Sequence, residues 1–251
     1  MALQVEAQGA QVRRTADFHP TAWGDFFLKR EPEDKMLVSA WKDEAGVLKE
    51  KVRKMLTTPP PEDKILEKLS LIDDVIRLGI GYHFQKEIDD AILQILKMDE
   101  YHGSEDISTI ALGFRLLRQR GYYVSSDVFH KFVDAKGNFK ENLSKDWVGL
   151  FNLYEASYLS IPGEKILDEA REITREHLKS LVNDLPSPVA EQVNRTLHRP
   201  LQRKVEKYEQ LQYIPIYEKL DARNEVVLKL AKLDFNVVQS IYREEVRSLT
   251  E

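Results

Sequence analysis

The sequence contains no cysteine. That excludes disulfides, thiolate zinc sites and cysteine nucleophiles together. No apolar run approaches the roughly 18 residues that a membrane-spanning helix needs. Residues 1–12 include Glu6 and no basic side chain, whereas a secretory leader needs a basic start and an apolar stretch, and a transit peptide is rich in Ser and Arg and poor in acids. The cytosol is therefore the expected compartment. Excess charge is also lacking: 37 basic residues against 42 acidic ones leave −5 over 251 residues, which argues against nucleic acid as a partner. The six histidines show no HExxH or other ligand spacing, and neither a GxSxG elbow nor a GxxxxGK[ST] phosphate loop occurs. Alternating strand patterns of useful length are scarce.

What is present is helical spacing. Ile65, Leu66, Leu69, Ile72, Val75 and Ile76 fall on one stripe, as do Ile88, Ala91, Ile92, Ile95 and Leu96, and Ile110, Ala111, Phe114 and Leu117. Further stripes run over 37–56, 147–158, 166–182 and 189–197. Trp41, Trp147 and the tyrosines, at helical spacing, are expected in the core. Breaks come at Pro59-Pro60-Pro61, Gly103-Ser104, Gly121, Ser125-Ser126, Gly137-Asn138, Pro162-Gly163, Pro186, Pro188 and Pro200. Ser125, Ser144 and Ser187 are expected to cap helices. The pattern predicts an all-α chain of about ten helices in antiparallel hairpins, either an α/α barrel or a repeat array. No fixed-period repeat supports the array. Residues 224–251 form one continuous helical stretch with Val227, Leu230, Ala231, Val237, Val238, Ile241 and Leu249 largely on one side, a face that must bury itself against something.

Arg13-Arg14 is followed by Trp23. The pair is either solvated or a guanidinium fork for a diphosphate or carboxylate. With its neighbours, this motif resembles the tandem-arginine/tryptophan start of plant terpene synthases. Matching words continue along the chain in order: Leu71-Ile72-Asp73-Asp74 with Arg77-Leu78-Gly79-Ile80, Phe114-Arg115-Leu116-Leu117-Arg118-Gln119, and Leu153-Tyr154-Glu155-Ala156-Ser157. Gly163-Glu164, Leu167-Asp168-Glu169-Ala170 and Lys232-Leu233-Asp234-Phe235-Asn236 complete them. Leu211 departs from the pattern, where the family more often has arginine.

The resemblance implies a terpene-cyclase-like α/α barrel over residues 1–212, followed over 213–251 by the first helix of a C-terminal catalytic α-domain. It further implies a cytosolic sesquiterpene synthase that cyclises farnesyl diphosphate, with Mg²⁺ held by a catalytic half beyond Glu251. Arg13 and Arg14 would form a lid over the substrate, and Trp23 would anchor the arm. This chain alone is expected to bind no metal and to be inactive. Asp73-Asp74 and Asp89-Asp90 lack the third acid of a DDxxD cluster and read as solvated helix positions. Asn183, Ser187 and Glu191 match a second metal pattern by letter, but Pro186 and Pro188 break the helix that would align them. Glu87, Asp89 and Asp90 are a near miss for the DxDD acid of protonation-initiated cyclases. Two other readings stand beside the synthase: a non-catalytic helical module pairing with another synthase chain through an exposed stripe around Val227 to Ile241, and an α/α-barrel glycosidase needing two facing carboxylates.

Overall fold

The computed structural model describes Gly24, Phe26–Lys29 and residues 33–250 except Lys136. Among the described residues it is all-α, with a single isolated bridge between Val133 and Phe139. The helices are α1 (Phe26–Lys29), α2 (Lys35–Thr57), α3 (Ile65–Arg77), α4 (Gln85–Leu96), α5 (Asp99–Gly103), α6 (Ile107–Gln119), α7 (Trp147–Ser157), α8 (Lys165–Leu181), α9 (Ser187–His198), α10 (Glu206–Tyr217) and α11 (Glu225–Thr250). They form hairpins of an α/α-barrel type around α6 and α7, which pack on each other, with α3 against α6 and α8 against α7. Residues 107–117 of α6 and 149–157 of α7 are buried on every side. A helix surrounded in this way has no solvent face to make polar. Gly149 marks their closest approach: a Cβ there would meet Ile107 and Asp146.

Capping chemistry sets the ends. Asp34, Asp106 and Asp146 accept hydrogen bonds from amides in the first turns of α2, α6 and α7. Ser125 caps the 3₁₀ segment Ser126–Phe132 through the amide of Asp127. Two expected caps are corrected. Ser144 lies inside the 3₁₀ turn Glu141–Lys145, and Asp146 takes the capping role. Ser187 is itself the first residue of α9, whose N-cap is Pro186 with no side-chain cap. Proline fits there because the first amides of a helix need no intrahelical partner. At the end of α2, the Lys68 ammonium donates to the carbonyls of Met55, Leu56 and Thr58, matching three donors to three orphan acceptors.

The tyrosines divide. Tyr101, Tyr154, Tyr213 and Tyr217 are buried as expected, whereas Tyr82, Tyr123, Tyr208 and Tyr242 are exposed. Trp147 packs on the core half-buried. Periodicity locates a helix face but does not tell a core position from one at its margin.

Helices α3 and α6 close alike. Ile80 N–H bonds Val75 C=O and Gly79 N–H bonds Ile76 C=O, and Tyr122 and Gly121 repeat this with Leu117 and Arg118. Both glycines have positive φ, +73° and +83°, as this cap requires. They differ in surroundings: a Cβ on Gly79 would lie 2.5 Å from Gln210, and one on Gly121 would meet nothing within 4 Å. Gly121→Ala should therefore cost about 1 kcal/mol from backbone strain alone, and Gly79→Ala about 2 kcal/mol or more. Urea midpoints of the two variants check this; equal losses would mean that Gln210 moves aside freely.

Candidate functional site

Arg13, Arg14 and Trp23 lie outside the described residues. The nearest described element, α1, packs against α11, and Glu33 pairs with Arg243 of that helix. Asn183 sits in the 3₁₀ turn Val182–Asp184, and extended Leu185 separates it from Ser187 and Glu191 on α9. The three do not share a continuous helix. Glu87 accepts from Arg53 Nε at 2.6 Å, and that bond holds its carboxyl below the usual carboxylate range. A proton-donating acid needs the opposite shift. Asp89 accepts from Arg120 at 2.6 Å, and Asp90 is exposed.

The expectation for Asp73 and Asp74 is overturned. Asp73 is buried and Asp74 half-buried, and both join a charge network spanning several helices. Asp73 pairs with Arg115 of α6 at 2.8 Å, with 1% of the arginine side chain exposed. Asp74 accepts from the Tyr213 hydroxyl of α10 at 3.0 Å. Arg77 donates to Glu209 of α10 through Nη2 (2.8 Å) and Nε (3.2 Å), and its guanidinium lies 3.9 Å from the Tyr213 ring centroid. Lys204 holds the other oxygen of Glu209 at 2.8 Å. Glu155 of α7 accepts from Thr196 of α9 (2.9 Å) and from the Leu201 amide (3.0 Å). The signal was local and easy to pass over. Leu69, Asp73 and Arg77 lie at i, i+4 and i+8, so the acid and the base continue the line of a core leucine.

The environment shifts these groups in opposite directions. Burial, then the charge of Asp73, pushes the Asp74 carboxyl up to about 7, against the Tyr213 hydrogen bond and the charge of Arg77. Burial raises Tyr213 and Glu155 as well. Burial opposes ionisation of Glu209 too, but Arg77 and Lys204 outweigh it and hold that carboxyl low. No metal fits here. A hard divalent cation needs several oxygens in one shell. The one buried carboxylate oxygen without a hydrogen-bond partner, Asp73 Oδ1, belongs to the group paired with Arg115, whose charge repels a cation. No group of three or more potential ligands occurs among the described residues.

The second polar cluster holds α11. This helix runs antiparallel to α2, with Lys229 paired to Glu44 and Arg243 to Glu33. Val227, Leu230 and Ala231 meet the stripe Ala45, Leu48, Val52 and Leu56. The expected exposed stripe from Val227 to Ile241 is thus corrected: its first half is buried within this chain, and Ile241, Tyr242 and Leu249 beyond it are exposed. Asp234, 4% exposed, accepts from the Tyr82 hydroxyl (2.8 and 2.9 Å) and contacts His83 Nε2 (2.7 Å). Asn224 caps the helix through the amides of Val226 and Val227 while its own N–H bonds Tyr217.

Helical hairpins closed around α6 and α7, with an interior charge network that joins helices and leaves no metal shell, define a terpene-cyclase-like α/α-barrel domain. Residues 22–197 match the family model for the terpene synthase N-terminal domain, and the chain belongs to that family. It is 50% identical over its whole length to probable terpene synthase 3 of Ricinus communis, covering 45% of that protein. It is 43% identical to sesquiterpene synthase 2 of Toona sinensis, over 98% of this chain and 44% of the relative. Isoprene synthase from grey poplar leaves (Populus x canescens), solved with three Mg²⁺ ions and dimethylallyl-S-thiolodiphosphate, superposes with a TM-score of 0.80 at 40% identity, over 85% of this chain and 41% of that one. The chain spans less than half the length of the curated relatives it matches. No described helix is long and apolar enough to cross a membrane.

The network carries a pH prediction. The folded pKa of Asp74 lies above that of an unfolded carboxyl, so its contribution to stability is complete below about pH 4 and is lost as pH rises through about 7. Asp74→Asn keeps an acceptor for Tyr213 and cannot ionise. Relative to the parent, it should gain about 1–3 kcal/mol between pH 5 and pH 8. Denaturant titrations at both values test this; parallel profiles would show that Asp74 does not titrate in that window.

Proposed function

We propose that this chain is the N-terminal helical part of a sesquiterpene synthase that cyclises farnesyl diphosphate with Mg²⁺ and releases diphosphate. On this reading residues 1–212 form the support barrel and residues 213–251 supply the first helix of the catalytic α-domain. The match of residues 22–197 to the N-terminal domain carries it, taken with the chain's coverage of less than half of each relative. The sesquiterpene class follows the name of the Toona sinensis relative. The metal requirement follows the three Mg²⁺ ions of the isoprene synthase structure. The ions are assigned to the catalytic half, a reading supported by the lack of any group of three or more potential ligands among the described residues. We assign the protein to the cytosol with its sesquiterpene class.

Arg13 and Arg14 are assigned to the substrate lid and Trp23 to the anchor of the arm. What supports this is the direction of the chain: Gly24 follows Trp23 directly, and α1 lies on α11, the helix that leads into the catalytic half. The large apolar side chains that α11 leaves exposed for any association are Ile241, Tyr242 and Leu249.

The test joins this chain to the C-terminal half of the Toona sinensis relative and follows diphosphate release from farnesyl diphosphate. We expect Mg²⁺-dependent release from the joined protein and none from the 251-residue chain alone. In the joined protein, Arg13→Ala/Arg14→Ala should lower turnover about tenfold or more, the scale of lost charge-assisted hydrogen bonds. Turnover by the isolated chain would place a metal centre within it, and an unchanged double variant would remove the lid assignment.

A further inference from the structure

Helix α11 docks through a stripe that contains one charge. Val227, Leu230, Ala231 and Asp234 follow one another at spacings of three, one and three residues, so the acid sits where the pattern calls for another apolar side chain. It is buried like its neighbours, and among the described residues its polar partners are Tyr82 and His83. Both come from the 3₁₀ turn Gly81–His83 between α3 and α4, and their rings lie tilted by 36° with centroids 3.9 Å apart. The turn is itself fixed, because Phe84 beside it is fully buried and Gly81 lies against Ile76. An apolar stripe alone tolerates sliding and rotation, since one aliphatic contact replaces another at little cost. A buried carboxylate does not, because moving away from its donors leaves it unpaired beside apolar side chains. Elsewhere, a single polar residue in an apolar helical seam fixes register in this way.

We propose that Asp234 is a positioning residue: held by Tyr82 and His83, it selects one register and angle of α11 on the barrel. Its consequence for catalysis rests on the function proposed above, because α11 would then set where the catalytic half begins. The register itself does not depend on that function and is measurable in this chain.

The absence of cysteine makes the measurement direct. Ser180→Cys on α8 and Ser248→Cys on α11 place two spin labels at exposed positions, and pulsed dipolar spectroscopy reads the distance between them. The parent should give one narrow distance. Asp234→Leu, which completes the apolar stripe, should keep its helicity and unfold cooperatively yet give a broadened or shifted distribution. Tyr82→Phe/His83→Phe removes both donors, keeps ring bulk and leaves α11 untouched; it should broaden or shift the distance too, and it decides the matter if Asp234→Leu does not fold. A parent-like single distance in either folded variant overturns the proposal. If both variants lose the single distance while the joined enzyme makes no terpene, the register stands and the functional reading falls.

Discussion

Charge taken out of water has to be met inside the protein, and this constraint organises the barrel. Arg115 is the largest fully buried side chain, and Arg77, Lys204, Asp73, Glu155 and Glu209 are nearly as inaccessible. An unpaired ion among them would cost several kcal/mol. Their pairings cross between α3 and α6, between α3 and α10, and between α7 and α9. A helix could slide one turn along its neighbour and still bury as many methyl groups. It could not do so and keep Asp73 on Arg115, Arg77 on Glu209 and Glu155 on Thr196 together. Apolar stripes decide that these helices collapse, and the charges decide which arrangement they collapse into.

The helices themselves were legible because a 3.6-residue period leaves a stripe in any helix with one wet face. Helices α2, α3, α4, α8 and α9 show it. Helix α10 did not announce itself: Pro215 interrupts its hydrogen bonding, Tyr213 and Tyr217 face inward, and its other buried residues include Glu209 and Gln210. The interior charges were misread for a related reason. Asp73 continues the line of Leu69 on its own helix, but its partner and that of Asp74 stand at positions 115 and 213 of the sequence. No local pattern carries a pairing at that separation. The words that carried the family resemblance were more informative than their letters suggested. Arg115, Arg118, Glu155, Glu164 and Asp234 all fall within them, and each has its charged group tied to another part of the chain. The lid residues are a different case, since the arm with Arg13, Arg14 and Trp23 lies outside the described residues.

The last helix shows how partial burial can be informative. Its first half has a core face, with Val227, Leu230 and Ala231 inaccessible, and a wet face that carries Glu225 and Lys229. In its second half Ile241, Tyr242 and Leu249 are exposed. The transition falls just beyond Asp234. The curated relatives are more than twice as long as this chain, and on the function proposed above this helix is where the support barrel meets the catalytic half.

Geometry gives the latch leverage. From Asp234 to Thr250 the helix extends about 24 Å at about 1.5 Å per residue, so a tilt of about 5° about the latch moves its far end by about 2 Å. Catalytic geometry tolerates less, since a misplacement of about 1 Å between reacting groups can cost about a hundredfold in rate. On the function proposed above, the stiffness of this one joint would bear on the geometry of the catalytic half. Such a role also accounts for a carboxylate in a seam where leucine would pack at least as well: burial energy holds a helix on, and only a directional, unforgiving contact holds it at one angle.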